Sequence, residues 1–144
     1  MILVDTNVIS EPLREAPEAR VIAWIDAQAV ETLYLSAITV AELRFGVAVL
    51  PAGKRRDRLQ MRLEREVLPL FSGRVAAFDL DASQTYADLM AQARAEGRAI
   101  EKADGYIAAV AAARGFIVAT RDVGPFEAAG LVVVNPWGSG NASA

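Results

Sequence analysis

With 0 His and 0 Cys, this chain has few ways to do proton-transfer or covalent chemistry. A Ser-His-Asp triad and a thiol nucleophile are excluded. So is a zinc site of the usual His/Cys kind. What remains is carboxylates, hydroxyls, lysines, arginines and any hard metal ion they hold. Asp5 stands out among the carboxylates. It closes the apolar run Ile2-Leu3-Val4 and is followed at once by Thr6-Asn7. A run that short and apolar reads as a buried strand, residues 2–5. Asp is depleted in strands, and a carboxylate there is unfavourable unless something compensates it. In an open α/β sheet, however, the carboxyl ends of the strands are where ligands bind.

Three further acids fall where the same edge can reach. Glu42 lies in the first turn of the helix expected after a second strand. Asp104 is near the start of the helix leading into a fourth strand, and Asp122 is in the loop directly after that strand. Clustered carboxylates repel one another and hold their protons more tightly unless a cation sits between them. An all-oxygen set suits Mg²⁺ or Mn²⁺. Such an ion activates a water and neutralises charge building on a phosphate. Each acid also has a second explanation when taken alone. Thr39-Val40-Ala41-Glu42 fits a helix capping box. Asp104 suits a helix N-terminus. Asp122 suits a turn in Thr-Arg-Asp-Val-Gly-Pro. Asp5 is the hardest to explain that way.

The elements that must position these acids alternate along the chain. Strands are expected over 2–5, 32–35, 75–78, 116–119 and 131–134. A short helix is expected over 7–13. Another runs from Pro17 to about Gln28, with Val21, Trp24 and Ile25 on one face. Helix 39–50 stops at Pro51 and Gly53. Residues 54–71 read as one amphipathic helix with Leu59, Leu63, Val67 and Leu70 as its stripe. Asp81, with Gln84 three residues on, reads as the N-cap of a helix reaching Gly97. An apolar helix covers 101–114, with Gly115 just past its end. The alternation predicts an α/β fold: a mostly parallel five-stranded sheet with helices on both faces.

At 144 residues and 53% hydrophobic content, one domain is expected over 1–137, followed by a flexible Gly/Ser/Asn/Ala tail over 138–144. No apolar run approaches the roughly 20 residues needed to span a membrane, so the chain reads as soluble and cytoplasmic. Net charge is −3, which argues against a general nucleic-acid-coating protein but not against an enzyme acting on nucleic acid through metal. Six of the 15 basic residues (Lys54, Arg55, Arg56, Arg58, Arg62 and Arg65) fall on the 54–71 helix. They fit either an RNA-backbone contact or, with Glu64 and Glu66 mixed in, a solvated face. Arg121 is placed for phosphate or partner contact. Trp24, Phe45 and Trp137 fit base contacts or, more simply, packing. Val47, Val49 and Leu50 exceed one helical stripe, which suggests a second buried face at a dimer or partner interface.

These residues resemble a known family. Ile-Leu-Val-Asp-Thr-Asn-Val-Ile-Ser-Glu at the start is similar to the opening of PIN-domain ribonucleases. Leu35 to Leu43 resembles that family's second motif, Ala103 to Ala109 its third, and Ala119-Thr120-Arg121-Asp122 its fourth. Val134-Asn135-Pro136-Trp137 resembles VapC-type toxins, the FitB subgroup in particular. The resemblance implies a Mg²⁺-dependent endoribonuclease (Mn²⁺ serving as well), the toxin of a toxin–antitoxin pair. It implies RNA as substrate, a cognate antitoxin, a homodimer, and promoter DNA reached only through the antitoxin. By position it implies Asp5, Glu42, Asp104 and Asp122 as the acidic site, with Asp5 and Asp104 ahead of Glu42 as metal ligands. Thr6, Thr120 and Arg121 would support them. The usual loop reads Thr-Arg-Asn with an Asp three residues later. Here Asp122 takes the Asn position and Pro125 the later one, as in the FitB-like pattern.

Two other functions compete. One is a PIN-fold module that mainly assembles with its antitoxin on DNA. The four acids disfavour it, since a scaffold has no need of them. The other is a phosphotransferase with Asp5 as nucleophile. Such sites usually carry a second Asp two residues on, where this chain has Asn7.

Overall fold

The computed structural model describes residues 1–138, so most of the tail expected over 138–144 lies outside the described residues. The strands are β1 (Ile2–Val4), β2 (Leu33–Ser36), β3 (Val75–Ala76), β4 (Ile117–Ala119) and β5 (Val133–Val134). They form one sheet in the order β3-β2-β1-β4-β5, and every pairing is parallel. β1 is therefore central, flanked in register by Leu33–Tyr34 and by Ile117–Ala119.

The helices are α1 (Thr6–Ser10), α2 (Ala19–Ala27), α3 (Ala37–Ala48), α4 (Lys54–Arg62), α5 (Leu80–Ala95), α6 (Lys102–Arg114) and α7 (Val123–Ala128). Strand alternation divides the core in two. Leu3 and Val118 face α5, α6 and Phe126 of α7. Val4, Ala119, Leu33 and Leu35 face Val8 of α1, Val21 of α2 and Leu43 of α3. Helices thus cover both faces, and the strands read as apolar runs because neither face meets water.

Several boundaries differ from expectation for local reasons. β1 ends at Val4, and Asp5 is the N-cap of α1. Its amide still donates to Ala119 O at 2.9 Å, so the residue keeps strand position while turning the chain. Helix 7–13 breaks after Ser10 into a 3₁₀ turn, Glu11–Leu13, that contains Pro12. α2 begins at Ala19, so Pro17 precedes the helix. α3 starts at Ala37 and is capped by the Ser36 hydroxyl accepting from Thr39 N at 3.0 Å. The Thr39–Glu42 capping box therefore does not form, and Glu42 sits in the second turn. Helix 54–71 is interrupted: α4 is followed by a π turn over Leu63–Val67 and a 3₁₀ turn over Leu68–Phe71. Pro69 lacks an amide hydrogen and its ring would meet the carbonyl of Arg65, which breaks the helix there. Asp79, not Asp81, caps α5 by accepting from Ala82 N at 2.9 Å. The loop after β4 contains α7, which the sequence reading missed. Gly115 ends α6 in the left-handed region at φ 70°, as its position predicted.

Candidate active site

The carboxyl edge of β1, β2 and β4 gathers the acids. The Asp5 carboxylate is buried and doubly held. Oδ1 accepts from Thr6 N at 2.8 Å, and Oδ2 accepts from the Thr120 hydroxyl at 2.8 Å. Thr120 is fully buried just past β4, and its hydroxyl oxygen also accepts from Asp122 N at 3.0 Å and Asn7 Nδ2 at 3.4 Å. One hydroxyl thus ties β1, α1 and the loop carrying Asp122 together. Asn7 completes the tie, since its Oδ1 accepts from Arg121 N at 3.1 Å.

Glu42 reaches the same place from α3. Its Oε1 accepts from the Thr6 hydroxyl at 2.5 Å, and Thr6 Oγ1 also lies 3.3 Å from the buried Thr39 hydroxyl. Thr39 is held in turn by Ser36, 3.4 Å away. Thr39, for which the sequence also allowed a capping role, therefore orients the shell around Glu42.

Asp104 approaches from the first turn of α6. Its carboxyl is pushed up to about 6, first by burial and then by the charges of Asp5, Asp122, Glu101 and Glu42. Asp5 is also raised from the ordinary carboxylate range, chiefly by burial. The Thr120 and Thr6 bonds pull it back, and the charges of Glu42 and Asp122 push it up again. Asp5 and Asp104 thus each feel the charges of Glu42 and Asp122, as carboxylates converging on one edge do. Asp122 is exposed and occupies the N-cap position of α7, and its side chain makes no cap bond.

The donor set suits a hard ion, because every side chain at the centre offers carboxylate or hydroxyl oxygen. Among the described residues no three acids lie close enough together to hold one ion jointly. The arrangement fits Mg²⁺, which usually takes one or two protein carboxylates and keeps several waters. Asp5 is a poor nucleophile here, being buried with both oxygens already accepting bonds.

Arg121 is exposed beside the acids, with its guanidinium over the Trp137 ring at 5.1 Å. Trp24 and Trp137 pack against the core face shared with α1 and α2, so both are packing residues first. Of the second face expected from Val47, Val49 and Leu50, Val47 packs against the core and Leu50 is half-buried, while Val49, the C-cap of α3, is 60% exposed; Phe45 of α3 is 68% exposed. Sequence reasoning missed Asn7 and Ser36 as site-building residues. The Thr-Asn pair after Asp5 was the available signal for Asn7. Among the described residues no helix is long and apolar enough to cross a membrane.

Comparison with known proteins gives consistent matches. Residues 2–131 match the PIN domain. A VapC ribonuclease of Sinorhizobium fredii is 69% identical over 137 residues, covering 95% of this chain and 98% of that protein. Toxin FitB of Neisseria gonorrhoeae is 55% identical over 137 residues, covering 95% and 99%. Among solved structures, FitAB bound to an IR36 DNA fragment superposes with a TM-score of 0.93 at 53% identity, covering 96% of each chain.

Proposed function

The chain belongs to the PIN-domain family, and from that premise we propose that it is a metal-dependent endoribonuclease, the toxin of a toxin–antitoxin pair. The observation that supports this reading is that Asp5, Glu42, Asp104 and Asp122 lie on elements around one sheet edge, where burial and the charges of neighbouring acids raise the proton affinity of Asp5 and Asp104. An acidic cluster with that strain is relieved by a cation. Asp5 and Asp104 would hold Mg²⁺ (or Mn²⁺) directly, with Glu42 close by through Thr6. When bound, the ion would lower the pKa of an attacking water and neutralise charge developing on the phosphate.

The chain's own residues do the positioning. Thr120 fixes the Asp5 carboxylate and, through Asp122 N, the start of α7. Thr6 aims Glu42 into the site. Glu42 and Asp122 are the acids left to take a proton from water or orient it. Arg121 offers a guanidinium to an RNA phosphate at the rim.

The named toxin and ribonuclease relatives support RNA as substrate and an antitoxin as partner. The FitAB complex with DNA supports promoter binding through that partner. The exposed Phe45 and Val49 support a further protein interface, which we assign to a homodimer. An RNA substrate supports activity in the cytoplasm.

The test is cleavage of single-stranded RNAs by protein freed of antitoxin, in Mg²⁺ or Mn²⁺ against EDTA. Asp5→Asn should lower the rate roughly 1000-fold, equivalent to about 4 kcal/mol of transition-state stabilisation. Absence of metal-dependent cleavage in the wild type would sink the proposal.

A further inference from the structure

The arginines of α4 look unremarkable in sequence, because acids are interspersed among them. The fold gathers three of the arginines on one side of the helix. Arg55, Arg58 and Arg62 line one side of α4 and face Arg14 and Glu15 across a cleft of about 230 Å³. Asp57 and Glu64 border a different groove, with Gln60 and Arg65. Glu64 is further occupied by two bonds from Arg44, at 3.0 and 2.9 Å. The ion pairs among the described residues involve Arg14, Arg20, Arg44, Arg98 and Arg114, so Arg55, Arg58 and Arg62 are in none.

The cleft is partly organised in advance. Arg62 Nη2 donates to Pro12 O at 3.2 Å, which fixes the α4 side to the turn after α1. Arg14 Nη1 donates to both oxygens of the buried Glu11 at 3.3 and 3.2 Å. Arg55 and Arg58 are exposed and uncommitted.

The cleft lies one short helix away from the acidic site. Asp5 caps α1, and α1 runs directly into the Glu11–Leu13 turn that borders the cleft. From Asp5 to Leu13 that path covers roughly 12–14 Å at 1.5–2.0 Å per residue. Arg121, next to Asp122, acts electrostatically on the same Glu11 that holds Arg14. Cations therefore run from the rim of the acidic site to α4.

We propose that the Arg14–Arg55–Arg58–Arg62 cleft binds the phosphodiester backbone of the single-stranded RNA beside the bond being cut. This rests on the ribonuclease reading above and adds where the strand is anchored. The charge balance favours such an anchor: the molecule carries −3 overall and its centre is acidic, so an RNA backbone is best received where guanidiniums cluster. Guanidiniums match phosphate oxygens bidentately, and four on one path favour a repeating phosphate over an isolated anion.

The test is binding of a labelled single-stranded RNA to full-length protein in EDTA, where cleavage is off, over a range of KCl. Each phosphate that the protein no longer neutralises should reduce the salt slope by about 0.7. Arg55→Gln/Arg58→Gln should therefore lower it by about 1.4 and weaken binding roughly 25-fold at 0.1 M salt. Arg55→Lys/Arg58→Lys should restore most of the slope, which a folding defect would not allow. An unchanged slope in the Gln variant overturns the proposal. So does a fall in antitoxin affinity with RNA affinity intact, which would make the cleft a protein-docking site. A wild type that binds RNA through these arginines but cleaves none overturns the ribonuclease reading and leaves the anchor standing.

Discussion

Replacing Asp104 with Asn should make the metal-free protein more stable at neutral pH while removing its activity. The carboxyl sits at about 6 in the folded chain against an ordinary 3.8, so the folded state binds its proton more tightly than the unfolded state does. Stability from this group is therefore greatest below about pH 4 and falls as pH rises through 4 to 6, remaining low above that. The difference, 6 minus 3.8, corresponds to at most about 3 kcal/mol. Solvent reaches the half-buried side chain, and screening trims this to about 1–2 kcal/mol. The N-terminus of α6 favours the ionised form by about 0.3–1 kcal/mol, which Asn forfeits. The net gain is about 1 kcal/mol at pH 7.5 in EDTA, a rise of about 2–4 °C in Tm. At pH 4 the gain should shrink towards zero, because wild-type Asp104 is then protonated. Added Mg²⁺ should reverse the order: saturation at 100 times Kd stabilises the wild type by about 2.7 kcal/mol, and the variant by less. Differential scanning calorimetry at pH 4 and 7.5, with EDTA and with Mg²⁺, reads all four conditions. A variant less stable than wild type at pH 7.5 in EDTA, or a difference independent of pH, would refute the electrostatic reasoning.

Thr120→Val keeps the shape of the buried side chain but strands Asp122 N and Asn7 Nδ2 and frees the Asp5 carboxylate. It should destabilise the fold by about 1–3 kcal/mol in urea denaturation, with a drop in cleavage larger than the change in stability explains. Gly105→Ala would place a Cβ 2.8 Å from Met90 Sδ and 3.1 Å from Tyr86 Cε2, one residue after Asp104. We expect destabilisation of about 1–3 kcal/mol, relieved in a Gly105→Ala/Met90→Ala double variant. Additive effects in that cycle would show that the α5–α6 contact is not the cause.

Asp5 was legible in sequence because Asp is depleted in strands and a carboxylate after Ile-Leu-Val is hard to place, and its edge position followed from strand alternation; its capping of α1 was not foreseen. Glu42 and Asp104 were legible as members of that edge, but their partners were not. Thr39 was read as a cap because its spacing to Glu42 fits a capping box. The choice between Thr39 and Ser36 depends on where β2 stops, which β3 and Arg74 help to set through Leu35 N bonding Arg74 O at 3.1 Å. The break at Leu63–Val67 was missed because the apolar stripe continues through it, and only Pro69 signals the change. α7 was missed because Gly124 and Pro125 look like loop residues, although proline is well placed in a first helical turn. The gathering of Arg55, Arg58 and Arg62 on one side of α4 was hidden for a related reason: it depends on which side of the helix meets the turn after α1.

The Thr120–Asp5 bond joins residues 115 positions apart. At 5–20 residues per second, the ribosome needs roughly 6–23 s to travel from one to the other. Until β4 has emerged and slotted beside β1, Asp5 has neither its hydroxyl partner nor its neighbours Asp104 and Asp122. A nascent or prematurely terminated chain therefore carries a fragment of the acidic centre and none of its architecture. On the ribonuclease reading proposed above, the chain would in this way be inert toward the RNA around it until synthesis has passed Asp122.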